Sequence, residues 1–261
     1  MNAESLASNV RREVNNFFGA LIFLTRVPVS RYYVFRPEEL PRSVIYFPIV
    51  GLMIGLLAGS VLFCAESLVP PALAVLLCMG ATVLVTGALH EDGLADAADG
   101  LIGGREPFQR LEIMKDSRIG SYGVIALWFS LTAKLILLNA LLKRGVYLAV
   151  CALVAAHGLS RAGTVALLFA CKYVRNEESK GSRFGNCVRA KDFAAALPVP
   201  VVVTVVLLGN RAVLSLLLAA AATWAAGVYF KKSIGGITGD CLGAANQLIE
   251  LACYFSLVAV E

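Results

Sequence analysis

Charged residues are scarce in this 261-residue chain: Asp, Glu, Lys and Arg make up 16% of it, against 58% hydrophobic residues. That balance excludes an ordinary soluble domain, which carries about a quarter of its residues as charges. The seven cysteines, at positions 64, 78, 151, 171, 187, 241 and 253, form no Cys-x-x-Cys pair, and most fall in apolar stretches. They read as small buried hydrophobes and indicate neither a disulfide nor a zinc site. Repeats and low-complexity tracts are absent, so one integral-membrane domain over residues 1–261 is the economical division. A cleavable signal is not expected either. The apolar core Phe17 to Leu24 is brief, Arg26 and Pro28 interrupt it, and no convincing small-residue cleavage site follows, so the segment 1–43 is expected to lie along the interface.

What is present is a series of apolar stretches long enough to span a bilayer. They run from Val44 to Cys64, Ala72 to Leu89, Gly123 to Leu142 and Val146 to Cys171, followed by 193–208, 212–230 and 241–260. The first of the last three is short, and the expectation is an all-α polytopic bundle of about seven transmembrane helices. Lys and Arg are distributed unevenly between its two sides. The segments before Val44, at 90–122, at 172–192 and at 231–240 hold six, four, six and two, whereas the opposite loops hold only Lys143, Arg144 and Arg211. The positive-inside rule places the rich side in the cytoplasm. The net charge of +5 therefore sits where anionic headgroups or phosphate-bearing substrates would meet it.

On that side lies the most informative run, Asp92-Gly-Leu-Ala-Asp-Ala-Ala-Asp-Gly100, directly after an apolar stretch. On a helix, Asp96 and Asp99 fall roughly 40° and 20° to either side of Asp92, so three carboxylates point one way. Like charges on one stripe repel, and a hard divalent cation such as Mg²⁺ relieves that repulsion; beside a membrane such an ion commonly serves a phosphate. A solvated acidic helix end is the plainer alternative.

Other polar positions are weighed in the same way. Gly51, Gly55 and Gly59 recur every four residues and read as a helix-packing face. His157, Ser160, Arg161 and Thr164 form a polar stripe on an otherwise apolar helix, and an Arg there costs roughly 2.5 to 3.5 kcal/mol on insertion scales, so it is expected to face a polar cavity. Lys134 invites the same argument, with snorkelling as its alternative. Lys115, Asp116 and Arg118 in Ile113–Gly123 suit phosphate clamping, or simply a loop entering the next span. Gly235-Gly-Ile-Thr-Gly-Asp-Cys-Leu-Gly243, followed by Gln247 and Glu250, permits a break before a helix N-terminus, with Asp240 as a further oxygen ligand or as that helix's cap.

Three runs in this order, His90-Glu-Asp-Gly-Leu-Ala-Asp-Ala-Ala-Asp-Gly100, Glu112-Ile-Met-Lys-Asp-Ser-Arg-Ile-Gly-Ser-Tyr-Gly123 and Gly235-Gly-Ile-Thr-Gly-Asp-Cys-Leu-Gly-Ala244, closely resemble the cobalamin synthase (adenosylcobinamide-GDP ribazoletransferase) family, as do Phe23-Leu-Thr-Arg-Val-Pro-Val29 and the His157 to Arg161 segment. The resemblance covers essentially the whole chain. It implies a Mg²⁺-dependent enzyme of the bacterial inner membrane with its active site facing the cytoplasm. Such an enzyme joins adenosylcobinamide-GDP to α-ribazole or α-ribazole 5′-phosphate, releases GMP and forms adenosylcobalamin or its 5′-phosphate. On that basis Glu91, Asp92, Asp96 and Asp99 are the expected metal ligands, and Asp99 and Asp240 the expected catalytic carboxylates. Arg105, Lys115, Asp116, Arg118, His157 and Arg161 are expected to hold or orient substrate. The expected partners are those substrates and the lipid bilayer, not nucleic acid, with a homo-oligomer or a complex with other late-pathway enzymes as the forms of assembly. Two rival readings fit the pattern less well. The CDP-alcohol phosphotransferases share an Asp-rich membrane motif, but the downstream aspartate spacing of this chain does not match theirs. An ion-coupled transporter would need midplane carboxylates, whereas the acidic run lies beyond the apolar spans.

Overall fold

The computed structural model describes residues 3–29, 40–174 and 188–260, so most of the expected loop at 172–192, including Cys187, lies outside the described residues. Those residues form twelve α-helices: α1 Ala3–Leu24, α2 Leu40–Ser43, α3 Phe47–Ala65, α4 Pro71–Thr86, α5 Leu89–Gly103, α6 Pro107–Ile113, α7 Ser121–Arg144, α8 Val146–Ala170, α9 Ala190–Ala196, α10 Pro198–Leu208, α11 Ala212–Ile234 and α12 Gly239–Ala259. Proline opens α4, α6 and α10 and is the second residue of α3, where its missing N–H costs nothing because the first turn has no carbonyl to donate to. The expected all-α membrane architecture is what the chain adopts.

Among the described residues, five stretches are long and apolar enough to cross a membrane: Pro41–Ala65, Ser121–Arg144, Val146–Ala170, Ala190–Ile234 and Gly239–Ala259. A sixth arises if α4 and α5 count as one broken span. The expected stretches 193–208 and 212–230 both lie in the 45-residue run Ala190–Ile234, as the separate helices α10 and α11, whereas Ala72 to Leu89 is not one straight span. Instead α4 stops after 16 residues, and the chain turns by 86° into α5. The turn is made by Gly87 (φ 65°) and Ala88 (φ 59°), both left-handed. Ala88 is the one described non-glycine residue with positive φ, a conformation that costs roughly 1–2 kcal/mol and persists only where its surroundings enforce it. As a result the acidic run occupies a separate helix, packed mainly on α12 and α7.

The most extensive helix contact among the described residues is α3 with α8, and the glycine ladder explains it. Gly51, Gly55 and Gly59 face His157, Leu153 and Val150 in succession along α8. The core divides into two apolar clusters. One joins Val50, Ile54, Leu94, Val165 and Ala245, and the other joins Ala58, Leu138, Leu153, Ile249 and Cys253. On α8 the changeover falls at Ser160, Arg161 and Thr164, and on α12 at Asn246 and Gln247, with Glu250 just beyond. The buried polar residues thus form a layer between two apolar ones.

A methyl at Gly55 would lie 2.6 Å from the Leu153 carbonyl oxygen and 2.7 Å from Val154 Cα, both backbone atoms that cannot rotate away. Gly55→Ala is therefore expected to force α3 from α8 and lower unfolding free energy by about 1–3 kcal/mol, measured by melting in detergent. A melting temperature equal to that of the parent protein would contradict this packing.

Candidate active site

Three segments that the sequence reading singled out meet at one end of the bundle. α5 crosses the start of α12 so closely that a Cβ on Gly93 would lie 3.1 Å from the Asp240 carbonyl oxygen and from Gly243 Cα. This crossing brings the acidic helix against the Gly235–Ala244 segment. The entry to α12 is fixed by Thr238, whose hydroxyl caps the helix by accepting from the Cys241 N–H at 3.3 Å. The cap role weighed for Asp240 thus belongs to Thr238, which donates its hydroxyl to Asp240 Oδ2 at 3.3 Å. Behind it the Tyr173–Ile237 bridge holds the loop after α8, and the Tyr173 hydroxyl accepts from the Gly239 N–H at 3.1 Å.

The four acids of the motif have different surroundings. Asp99 is buried, and its two oxygens accept from the backbone N–H groups of Gly120 at 2.7 Å and Gly123 at 2.9 Å. It therefore caps the start of α7 from a neighbouring helix, a charge-assisted arrangement that also complements the helix dipole. Glu91 is half-buried; its Oε1 accepts from Gln247 Nε2 at 3.2 Å. Asp92 is exposed and Asp96 half-buried. Among the described residues no three His, Cys, Asp or Glu side chains are arranged to hold a metal ion. The side chains of Asp92, Asp96 and Asp240 are carboxylates, the hard-oxygen donor type that suits Mg²⁺.

The loop at 104–120 carries the expected phosphate-binding cations on its surface. Arg105 is exposed, with its backbone N–H donated to Gln109. Lys115 pairs with Glu112 at 2.7 Å, and Arg118 pairs with Asp116 at 2.6 Å. Arg118 donates to both oxygens of Asp116, through its side chain and its own backbone N–H, and this holds the carboxyl down at about 2. Asp116 is therefore charged across the physiological range, and its contribution to this turn is lost only as pH falls from the ordinary carboxylate range toward 2. Its geometry fits orienting Arg118. Arg110, which sequence reasoning passed over, ties the same end together by donating to the carbonyls of Gly104 at 3.0 Å and Ser233 at 2.8 Å.

His157 and Arg161 lie elsewhere. They belong to a buried cluster centred on Glu250 of α12, whose Oε2 meets Lys134 Nζ of α7 at 2.6 Å. Its Oε1 meets Arg161 Nη1, His157 Nδ1 at 3.0 Å and the Ser160 hydroxyl at 3.4 Å, all from α8. Arg161 Nη2 reaches His90 Nδ1 of α5 at 3.5 Å. Arg161 and Glu250 are each 1% exposed. Lys134 accordingly turns inward to a partner and does not snorkel. The sequence reading gave no role to Glu250 or Gln247. A usable signal was there: two cations inside spans require a buried counter-anion, and Glu250 is the carboxylate placed within the last span.

The cluster makes a graded stability prediction. Glu250→Gln leaves two buried cations without a carboxylate and should cost about 3–5 kcal/mol, whereas Lys134→Met and Arg161→Met each leave Glu250 one cation and should cost less. Melting of the three variants in the same detergent gives the order, and equal or reversed losses would count against Glu250 as the centre. Asp99→Asn presents an N–H₂ group to amides that need an acceptor and should lower stability by about 1–3 kcal/mol. An unchanged melting temperature would detach Asp99 from the α7 start.

The chain matches the family model described as cobalamin-5-phosphate synthase over residues 16–258. It is 42% identical over 250 residues to the adenosylcobinamide-GDP ribazoletransferase of Shewanella frigidimarina, covering 95% of this chain and 96% of that protein. The proteins of the same name from Shewanella denitrificans and Shewanella oneidensis are 39% and 38% identical, with 97% and 95% of both chains covered. No solved structure matches significantly. The expected resemblance therefore holds, and with its acidic α5 crossed on the Gly235–Ala244 segment the chain belongs to the cobalamin-5-phosphate synthase family.

Proposed function

We propose that this protein joins adenosylcobinamide-GDP to α-ribazole or its 5′-phosphate, with release of GMP, at the face where α5 crosses α12. The observation that carries the reading is that crossing: Gly93 of the acidic helix packs on the Asp240 and Gly243 backbone at the start of α12, in a family whose named members are adenosylcobinamide-GDP ribazoletransferases. In the reaction a ribose hydroxyl attacks the phosphorus bound to the corrinoid's aminopropanol arm. A P–O bond forms to that hydroxyl, the bond to the bridging pyrophosphate oxygen breaks, and GMP leaves with the electron pair while the hydroxyl proton passes to a base.

In this reading Asp92 and Asp96 would hold Mg²⁺, and Asp240 would either complete the ligand set or accept the hydroxyl proton. The bound ion would neutralise pyrophosphate charge. The chain's own work is mainly positioning and electrostatics. Arg105, Lys115 and Arg118, on the surface loop beside α5, supply positive charge for the substrate phosphates, and Asp116 orients Arg118. Glu91 and Asp99 are committed to Gln247 and to the α7 amides, so they act by fixing the two ends of α5. His157 and Arg161, fully enclosed around Glu250, act through helix placement and do not touch phosphate. The excess of Lys and Arg in the segments on this side of the bundle supports a site that faces the cytoplasm of a bacterial inner membrane.

Purified protein incubated with adenosylcobinamide-GDP, α-ribazole 5′-phosphate and Mg²⁺ is expected to release GMP in proportion to a corrinoid product. Asp92→Asn and Asp96→Asn are each expected to lose on the order of 100-fold or more in GMP release while melting like the parent. Near-parental turnover in both variants would remove the acidic helix from the chemistry, and no GMP from the parent protein would overturn the reading as a whole.

A further inference from the structure

The buried side chains not absorbed by the reaction lie on a path from the middle of the bundle to the acidic helix. Gln247 stands on α12 one turn before Glu250, is 2% exposed, and touches two other helices. It donates to Glu91 Oε1 of α5 at 3.2 Å and accepts from the Ser130 hydroxyl of α7 at 3.5 Å. Around Glu250 two cations, Lys134 and Arg161, face one carboxylate. Glu91 is the next acid along the path, one hydrogen bond from Gln247. The other Glu91 oxygen is buried without a hydrogen-bond partner, so Gln247 is the bond that orients this carboxylate. A lost donor to a buried charge is costly, which gives the contact leverage on where α5 sits.

At its far end α5 is pinned by Asp99 to the α7 amides, and at its near end His90 and Glu91 meet α8 and α12. Asp92 and Asp96 lie between these attachments. We infer that Gln247 is a positioning residue: through Glu91 it couples α5 to the buried Glu250 cluster and so sets the orientation in which Asp92 and Asp96 are presented. The inference rests on the proposed transfer reaction for its kinetic readout. An error of about 1 Å in such a placement is worth on the order of 100-fold in rate. Loss of Gln247 is therefore a kcat effect, since the surface cations that meet substrate are untouched.

The test uses the full-length protein in detergent and three variants, Gln247→Leu, Gln247→Met and Glu91→Gln, with the double variant Glu91→Gln/Gln247→Leu. Gln247→Met keeps the unbranched length and serves beside Gln247→Leu in case branching disturbs folding. Both Gln247 variants are expected to lose at least tenfold in kcat for GMP release, with KM for adenosylcobinamide-GDP within about twofold of the parent. If Gln247 acts through Glu91, the double variant is no slower than Glu91→Gln alone. Deuterium uptake, read by mass spectrometry, should quicken in peptides covering His90–Gly103 and stay unchanged in α3 and α11. A parental kcat in either folded Gln247 variant, additive losses in the double variant, or unaltered uptake in α5 overturns the inference. A parent protein that releases no GMP overturns the proposed reaction instead, and the uptake measurement then still decides whether Gln247 holds α5.

Discussion

A carboxylate buried in the middle of an apolar bundle is the constraint around which this protein is organised. Glu250 could not stay ionised there alone, and Lys134, Arg161, His157 and Ser160 converge on it from two other helices. Each contact fixes the rotation of a helix as well as its approach. Apolar side chains in a membrane gain little by meeting one another in place of lipid, so they specify rotation weakly. A polar layer between two apolar clusters supplies the missing register for α7, α8 and α12, and His90 extends it to α5.

Small residues then decide how closely the helices approach. The glycine ladder of α3 lies against α8, and Gly93 and Gly243 let α5 cross the start of α12 nearly backbone to backbone. The second crossing is the one with functional weight. It turns two motifs some 150 residues apart in sequence into neighbours and leaves Asp92 exposed at the same end as Arg105, Lys115 and Arg118. The left-handed pair Gly87 and Ala88 makes this possible, because a straight continuation of α4 would have carried the acids away from α12.

Much of this was readable from the residues. Apolar stretches gave the class, glycines every four residues gave the α3 packing face, and the three ordered runs gave the family that the comparisons support. The acidic stripe gave the helix but not the fates of its members. Spacing places Asp92, Asp96 and Asp99 on one side, yet whether a carboxylate meets solvent or two backbone amides depends on where α7 begins, which no local pattern in 92–100 encodes. The 86° turn was likewise hidden, since an apolar run followed by acids looks the same whether the chain continues or folds back. Glu250 escaped because a single acid near the chain end has no motif around it. Its importance is set by Lys134 and Arg161, about 90 to 115 residues away.

The measurement that bears most directly on the buried cluster is a double-mutant cycle on unfolding free energy, pairing Lys134→Met with Glu250→Gln in one detergent. If the cluster fixes the bundle as described, the two losses are strongly non-additive, with a coupling of about 2 kcal/mol or more. Additivity within about 0.5 kcal/mol would mean that the two side chains do not depend on each other, and the account of Glu250 as the organising charge would fail.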